Sequence, residues 1–304
     1  MINLIFVALL DPRMTYDLYI GDRTFSSWSL RGWLMLKSFG IPFKSHILGL
    51  YSGTLEADLA PFAPARQVPV LKTPKGHMIF DTLAIAETLA QAHPKAGLWP
   101  EDPARRGAAR SLVAQMHSSF SALRTHCPMN LQNAWEEFEV SENLYADLAY
   151  LETLWNYAFK MSGDQDWLFG AYSLADVFFA PVAARIACYK LPVSQQAQQY
   201  VDKHLAHQDF RQWRAMGLTK HYDPFPYNMP CASVPWPGPR TIAAAVAQGP
   251  SENETCPYSG DAVTDFLHID GRVFGFCNPF CRDKTLVDPA AWPEFMALYS
   301  TAKA

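Results

Sequence analysis

Two serines, Ser26 and Ser27, are the residues best suited to stabilise a negative charge on a bound ligand. They follow the alternating apolar run 16–20, which predicts a strand, and precede a helical apolar pattern over 30–36. Backbone N–H groups at a helix start favour anions, and a serine hydroxyl there can donate to a thiolate. Lowering a thiol pKa from about 8.5 to about 7 takes roughly 2 kcal/mol. The alternative is that the serines only cap the helix.

The segment 66–71, with the sequence RQVPVL, could bind a peptide-like ligand along its backbone. A proline that opens a strand is often cis. A cis bond before Pro69 would turn the N–H and C=O groups of Val68 outward, where they could pair with a ligand as a further strand would. An ordinary trans proline at a sheet edge is the alternative.

Asp81 and Thr82 stand at the predicted start of a helix over 83–92. The Thr82 hydroxyl and the first N–H groups of the helix could hold a carboxylate, while the Asp81 carboxylate could hold an ammonium group. Together they would bind the head group of an α-amino acid. The alternative is a capping pair with no ligand.

The elements around these residues follow the order βαβα and then ββα, which predicts a sheet faced by helices over residues 16–94. The pattern over 95–220 is purely helical, with long stretches predicted at 103–126 and 141–161 and shorter helices at 174–189, 194–206 and 209–217. The fold class is therefore α/β followed by all-α.

Taken in chain order, three motifs resemble the glutathione transferase superfamily, most of all its zeta-like, serine-type bacterial members. The motifs are SSWSLR over 26–31, RQVPVL over 66–71 and DTLAIAE over 81–87. The resemblance covers about residues 16–220 and includes a capping box over 173–176 that resembles the family's folding motif. It implies a thioredoxin-like N-terminal domain, a helical-bundle domain behind it, and a homodimer.

The resemblance also implies roles for individual residues. Ser26 takes the place of the thiol-activating serine, and its neighbour Ser27 could share or take over that role. The glutathione-binding residues would be Gln67, Val68, Asp81 and Thr82.

The sequence departs from the family pattern at two positions. Trp28 stands where zeta enzymes have a cysteine, which argues against maleylacetoacetate isomerisation, whereas Thr82 replaces the usual serine and keeps the hydroxyl. The expected activity is attack of the glutathione thiolate on a small electrophile. Met116, Phe120 and Arg124 could contact that electrophile, although such residues more often belong to a core. The alternative is a non-catalytic glutathione-binding protein whose cysteine module senses or carries metal.

Three cysteines near the C-terminus, Cys256, Cys277 and Cys281, predict a site for Zn²⁺ or another thiophilic ion. The spacing resembles the TRASH and YHS group of small metal-binding modules over about residues 254–292. Cys231, His268 or water could supply a fourth ligand. The alternative is a metal-free fold with buried thiols.

The remaining segments and the composition limit the other possibilities. Residues 1–15 are predicted to be an N-terminal extension, and 1–13 of these to be an upstream addition rather than a signal. Residues 221–253 are predicted to be a Pro-rich linker, and residues 254–304 to be the cysteine-rich module. A net charge of −4 gives no electrostatic reason to expect nucleic acid or an anionic membrane as partner. Six cysteines, two of them far from the others, fit a reducing cytoplasm.

Overall fold

The computed structural model describes residues 15–163, 166–220, 222, 227 and 229–301. Residues 1–13, predicted as an upstream addition, lie outside this part of the chain. Two compact units are present: one contains the described residues up to Asp22 together with Trp28–Trp99, and the other contains Arg23–Ser27 together with the described residues from Pro100 onward.

The first unit is built on a four-stranded sheet in the order β2-β1-β3-β4. The central strand β1 runs parallel to β2 and antiparallel to β3, which pairs antiparallel with β4. This is the βαβα followed by ββα order expected from the sequence. The strands are β1 (Tyr16–Ile20), β2 (Phe43–Ile47), β3 (Val70–Lys72) and β4 (Met78–Ile79), and the helices are α1 (Ser27–Lys37), α2 (Leu55–Leu59) and α3 (Thr82–Ala92).

Helix α1 packs closely on the start of β3. A Cβ atom at Gly32 would lie 3.0 Å from two ring carbons of Pro69, so only glycine lets the helix approach this proline without displacing it. The predicted apolar stripe of α1 is buried, and Leu18 on β1 is buried as well. Burial of this stripe fixes the start of α1 relative to β1 and β3.

The helices of the second unit begin with α4 (Pro103–Ser118), α5 (Ser121–His126), α6 (Glu142–Ser162), α7 (Leu174–Cys188), α8 (Gln195–Ala206) and α9 (Gln208–Gly217). The single helix predicted over 103–126 is wrong, because the chain breaks at Phe120, whose φ is +63°. The Arg124 guanidinium donates to the last carbonyls of α4, those of Met116 and His117, and so satisfies that helix end. Met116 and Phe120 are core residues.

The N-terminus of α7 is organised by a buried carboxylate. Asp176 accepts hydrogen bonds from the backbone N–H and the hydroxyl of Ser173, from the Leu168 N–H and from the Tyr200 hydroxyl, at 2.8 to 3.2 Å. The Ser173 hydroxyl in turn accepts from Ala175 N–H at 3.3 Å. This confirms the capping box predicted over 173–176.

The C-terminal part contains a three-stranded antiparallel sheet in the order β7-β8-β9, followed by two helices. Two short strands, β5 (Ala134–Trp135) and β6 (Ser233–Val234), precede it and pair with each other. β7 lies inside the stretch predicted as a linker, so part of that stretch is a strand. The remaining elements are β7 (Ala245–Ala247), β8 (Asp265–Ile269), β9 (Arg272–Phe276), α10 (Pro279–Val287) and α11 (Pro293–Thr301).

This C-terminal part shares a hydrophobic core with α9. Phe274 and Phe295 belong to one buried cluster that also contains Ala215 of α9. Arg211 of α9 forms a two-pronged ion pair with Asp288, at 2.7 and 2.8 Å. The C-terminal part is therefore anchored on the last helix of the bundle and belongs to the same compact unit. Among the residues that the structure describes, no helix is long and apolar enough to cross a membrane.

Candidate functional site

The turn between β1 and α1 is held by the third serine of the tract. Gly21 N–H donates to the Ser29 hydroxyl at 3.0 Å, and Ser29 is completely buried. Gly21 also packs against the start of β3, because a Cβ atom there would lie 3.2 Å from Val68 Cγ2. The turn at the end of β1 is thus fixed next to Val68.

Ser26 and Ser27 lie at the start of α1, as the sequence predicts. Ser27 is the first helical residue and is half-buried, while Ser26 precedes it and is 7 % exposed. Both hydroxyls are attached to the turn where the first N–H groups of α1 have no partner within the helix. The choice between the two serines stays a prediction.

Arg31 belongs to the same region, although the sequence predicted no role for it. It is 1 % exposed, and its guanidinium stacks on the Trp28 ring at 4.3 Å from the ring centre. One helical turn after Ser27, α1 therefore carries a buried positive charge. A buried cation favours a nearby anion more than an exposed one does, because water screens it less. The fixed five-residue spacing from Ser26 is the signal that could have identified it.

The peptide bond between Val68 and Pro69 is cis, the first of the two forms considered from the sequence. Gln67 is exposed and Val68 is buried. Both precede β3, so their backbone groups lie outside the ladder that β3 forms with β1 and β4. The bond between Phe80 and Asp81 is also cis.

The start of α3 contains a buried hydroxyl that lacks a hydrogen bond. Asp81 caps the helix by accepting from Leu83 N–H at 2.9 Å, and its side chain is exposed. Thr82 is completely buried, and its Oγ1 atom has no hydrogen-bond partner in the described part of the chain. A buried hydroxyl without a partner costs about 1–3 kcal/mol, so a ligand oxygen that reached it would be favoured.

The three C-terminal cysteines form a cluster. The Sγ atoms of Cys256, Cys277 and Cys281 all lie within 4.8 Å of one another, and those of Cys277 and Cys281 are 3.9 Å apart. Cys256 is buried, Cys277 follows the end of β9, and Cys281 is in the first turn of α10. Two thiolates bound to one tetrahedral Zn²⁺ lie about 3.8 Å apart, given Zn–S bonds of about 2.3 Å. The cluster therefore fits such an ion.

The surroundings of the cluster act differently on its sulfur atoms, since burial raises the pKa of the Cys281 thiol to about 12. The Ser259 hydroxyl and the Asn278 amide donate to Cys277 Sγ at 3.3 and 3.2 Å. Burial raises the pKa of the Cys256 thiol, but hydrogen bonds from nearby backbone N–H groups outweigh this effect and lower it. Hydrogen bonds that favour a thiolate are those a metal-binding cysteine needs.

Neither of the protein groups predicted as a fourth ligand joins this cluster. Within the described ranges, the only group of three or more close donors consists of the three cysteines, without Cys231 or His268. His268 is an exposed residue of β8, at the opposite end of the β8–β9 hairpin from Cys277. Of the options predicted from the sequence, a water molecule is the one left.

Comparison with known proteins connects the fold to a family. The model of the glutathione S-transferase N-terminal domain matches residues 25–92. Maleylacetoacetate isomerase of Pseudomonas aeruginosa is 30 % identical over 208 residues, which cover 64 % of this chain and 93 % of the relative. This chain belongs to the glutathione transferase superfamily. A probable maleylacetoacetate isomerase of Caenorhabditis elegans is 32 % identical over 119 residues, 39 % of this chain and 54 % of the relative.

Solved structures of the superfamily share the fold. A glutathione transferase homologue from Burkholderia gl BGR1, solved with bound glutathione, has a TM-score of 0.50 at 24 % identity and matches 68 % of this chain and all of its own. Glutathione transferase F2 from Populus trichocarpa has a TM-score of 0.53 at 14 % identity, over 67 % of this chain and all of its own. The thioredoxin-like N-terminal domain and the helical domain are thereby confirmed, and the protein is an enzyme of the glutathione S-transferase type.

Proposed function

We propose that this glutathione transferase activates the glutathione thiol through the Ser26 hydroxyl, with Ser27 as the second candidate. The tripeptide lies along the backbone at Gln67 and Val68, and its α-amino acid head group reaches Asp81 and Thr82. The observation that carries this proposal is the buried Thr82 hydroxyl at the start of α3, which has no partner in the described part of the chain. A ligand carboxylate there would accept its hydrogen bond and those of the first N–H groups.

The chemistry follows from the charge at the start of α1. The thiol proton passes to solvent when glutathione binds, and the Ser26 hydroxyl donates to the sulfur that remains. The thiolate attacks an electrophilic carbon, a C–S bond forms, and the leaving group departs with the bonding electron pair. The hydroxyl, the helix N–H groups and the buried Arg31 guanidinium all favour the anionic sulfur.

A second candidate is glutathione-dependent cis–trans isomerisation of a small diacid. It is favoured by the two relatives named as maleylacetoacetate isomerases. Trp28 occupies the position of the zeta-class cysteine, and its ring is covered by Arg31. In this reaction the thiolate adds to the double bond and leaves after rotation, so the same serine would be needed.

The cysteine cluster would hold a thiophilic ion, with Zn²⁺ as the first candidate. Cys256, Cys277 and Cys281 would link a turn, the end of β9 and the start of α10, and so stabilise a small fold. Bound there, the ion would act as a structural cross-link.

Calorimetry with glutathione, followed by turnover of an activated aryl halide and of maleylacetoacetate, tests these proposals. Binding with turnover of the aryl halide supports transferase chemistry, and turnover of maleylacetoacetate alone supports isomerisation. Binding with turnover of neither substrate would contradict both reactions. A folded protein that does not bind glutathione would contradict the proposed site as well. Light scattering tests the expected homodimer.

A further inference from the structure

A cavity of about 360 Å³ lies beside α9 in the second unit, between that helix and the Pro-rich segment 235–241. Leu205, Phe210, Trp236 and Val287 give it apolar walls. Pockets that hold organic ligands measure roughly 300–1,000 Å³, so this cavity can enclose a small organic molecule. The roles described for the N-terminal domain and the cysteine cluster use none of these residues.

The charged groups that line the cavity are three arginines and one carboxylate. The carboxylate, Asp288, is already neutralised by its two-pronged ion pair with Arg211, and it also accepts from the Thr241 hydroxyl at 3.2 Å. Arg214 and Arg240 are therefore left to give the cavity wall a net positive charge.

Arg214 is held in a fixed orientation. Its Nε atom donates to the Leu131 carbonyl at 2.8 Å, and its guanidinium lies 4.2 Å from the centre of the Trp236 ring. Burial lowers the pKa of Arg214 to about 10, which leaves it cationic at neutral pH. In the described part of the chain, its two terminal nitrogens donate no hydrogen bond to protein. Because Arg214 lines the cavity, these nitrogens can donate to an anion that enters it.

Arg240 supplies a second charge from the opposite wall. It is exposed, and it forms no ion pair or hydrogen bond with the residues that the structure describes. A long cationic side chain at the rim of a cavity can close onto a ligand at little structural cost. The cavity thus combines one fixed guanidinium, one adaptable guanidinium and an indole ring.

We propose that this cavity binds a small aromatic carboxylate. The guanidinium fork of Arg214 matches a carboxylate with two parallel hydrogen bonds, and Arg240 adds a second ion pair. The aromatic body of the ligand packs on Trp236, Phe210 and the neighbouring aliphatic side chains. The apolar walls disfavour a bare inorganic anion, and the volume excludes a macromolecule. This inference does not depend on the transferase proposal.

Isothermal titration calorimetry of the full chain with naphthalene-2-carboxylate tests this inference. The neutral naphthalene-2-carboxamide has nearly the same shape and is the matched ligand control. All titrations contain excess glutathione, so that the proposed tripeptide site is filled. We expect the carboxylate to bind at least tenfold more tightly than the amide, because only the carboxylate pairs with the arginines.

Two variants locate the binding. Arg240→Met removes one charge-assisted contact, and Trp236→Leu removes the ring surface. Each is expected to weaken carboxylate binding about tenfold or more. Arg110→Met removes an exposed arginine of α4 that does not line the cavity, and it is expected to leave affinity unchanged. Thermal unfolding checks that every variant is folded. Equal binding of carboxylate and amide, or an affinity unaffected in Arg240→Met, would overturn the proposal.

Discussion

At the start of α3, Thr82 combines complete burial with a hydroxyl that has no hydrogen-bond partner in the described part of the chain. Its neighbour Asp81 already caps the helix, so the Thr82 hydroxyl is not needed for capping. This unpaired hydroxyl is the observation that supports the proposed binding of a ligand at the start of α3.

Thr82→Val should therefore weaken glutathione binding and leave the fold intact. Valine keeps the shape of threonine and removes the hydroxyl, so the loss of one hydrogen bond to a carboxylate should raise the dissociation constant about tenfold. Calorimetry measures the affinity, and urea unfolding measures the stability. If the variant were destabilised with unchanged affinity, the hydroxyl would have a structural role instead.

The sequence predicted which residues lie at the site more easily than it predicted the separate roles of the three serines. The sequence pattern predicted Ser26 and Ser27 at the start of α1, and it left a cis and a trans bond at Pro69 open. It did not show that Ser29 is tied to Gly21, because that contact depends on how the turn folds back on β1. Nor did it show that Arg31 is buried against Trp28.

At the scale of elements, the N-terminus of α7 is held by one carboxylate that accepts four hydrogen bonds. Burial raises the pKa of Asp176 to about 6 in spite of those bonds. The elements joined there are α7, the segment before it and α8. Asp176 is therefore a structural centre of the helical domain.

Asp176→Ala should destabilise the protein by about 3–5 kcal/mol, because several buried donors lose their acceptor at once. Ser194→Ala is the matched control, since Ser194 caps α8 with a hydroxyl that accepts from Ala197 N–H, and removal of such a cap costs about 1 kcal/mol. Urea unfolding measures both. Equal losses in the two variants would contradict the central role of Asp176.

We expect the protein to lose stability in acid because of the buried imidazole of His204 in α8. Burial, followed by the neighbouring His207, lowers the pKa of His204 well below its usual value of 6.5. Below pH 6.5 the unfolded chain binds a proton that the folded chain does not, so unfolding is favoured as the pH falls. Between pH 7 and pH 5 the cost is at most about 2 kcal/mol, the limit set by protonation of the imidazole in the unfolded chain.

The comparison with His204→Leu isolates this effect, because the opposite contribution of Asp176 is present in both proteins. The wild-type free energy of unfolding should fall more steeply than that of the variant over this range, by at most about 2 kcal/mol. Urea unfolding at pH 7, 6 and 5 measures the difference. Parallel pH profiles would show that His204 does not titrate as argued.

The helical periodicity predicted α6 to α9 to within a residue or two, because their apolar stripes are continuous. It missed the break between α4 and α5, where Arg124 replaces the helix's own hydrogen bonds. It also gave no indication that β7 is a strand. These three residues do not alternate between polar and apolar, and they form a strand only because they pair with β8.

At the scale of the whole molecule, the C-terminal part adds a small sheet and two helices to the transferase fold. Its core continues into α9 through Ala215, and the Arg211–Asp288 ion pair reinforces the contact. The cysteine spacing predicted the thiol cluster, whereas the anchoring on α9 depends on contacts between residues some 80 positions apart. The cavity at the same junction was not predictable for the same reason.

Purified protein should contain about one Zn²⁺ per chain, and Cys277→Ser should lose it together with thermal stability. Cys231→Ser is the matched control, because Cys231 lies outside the cluster and should keep the metal. Elemental analysis and thermal unfolding measure the two effects. A folded, metal-free wild type grown with ample zinc would contradict a metal site.

The titration of enzyme-bound glutathione, followed by the ultraviolet absorbance of its thiolate, tests the central claim most directly. In the wild type the thiol pKa should fall from about 8.5 to about 7, and in Ser26→Ala it should return by at least one unit, with kcat/KM reduced about 10- to 100-fold. Ser27→Ala should change the pKa by much less. A bound thiol pKa equal to that of free glutathione in the wild type, or one unchanged in Ser26→Ala, would contradict activation by this serine.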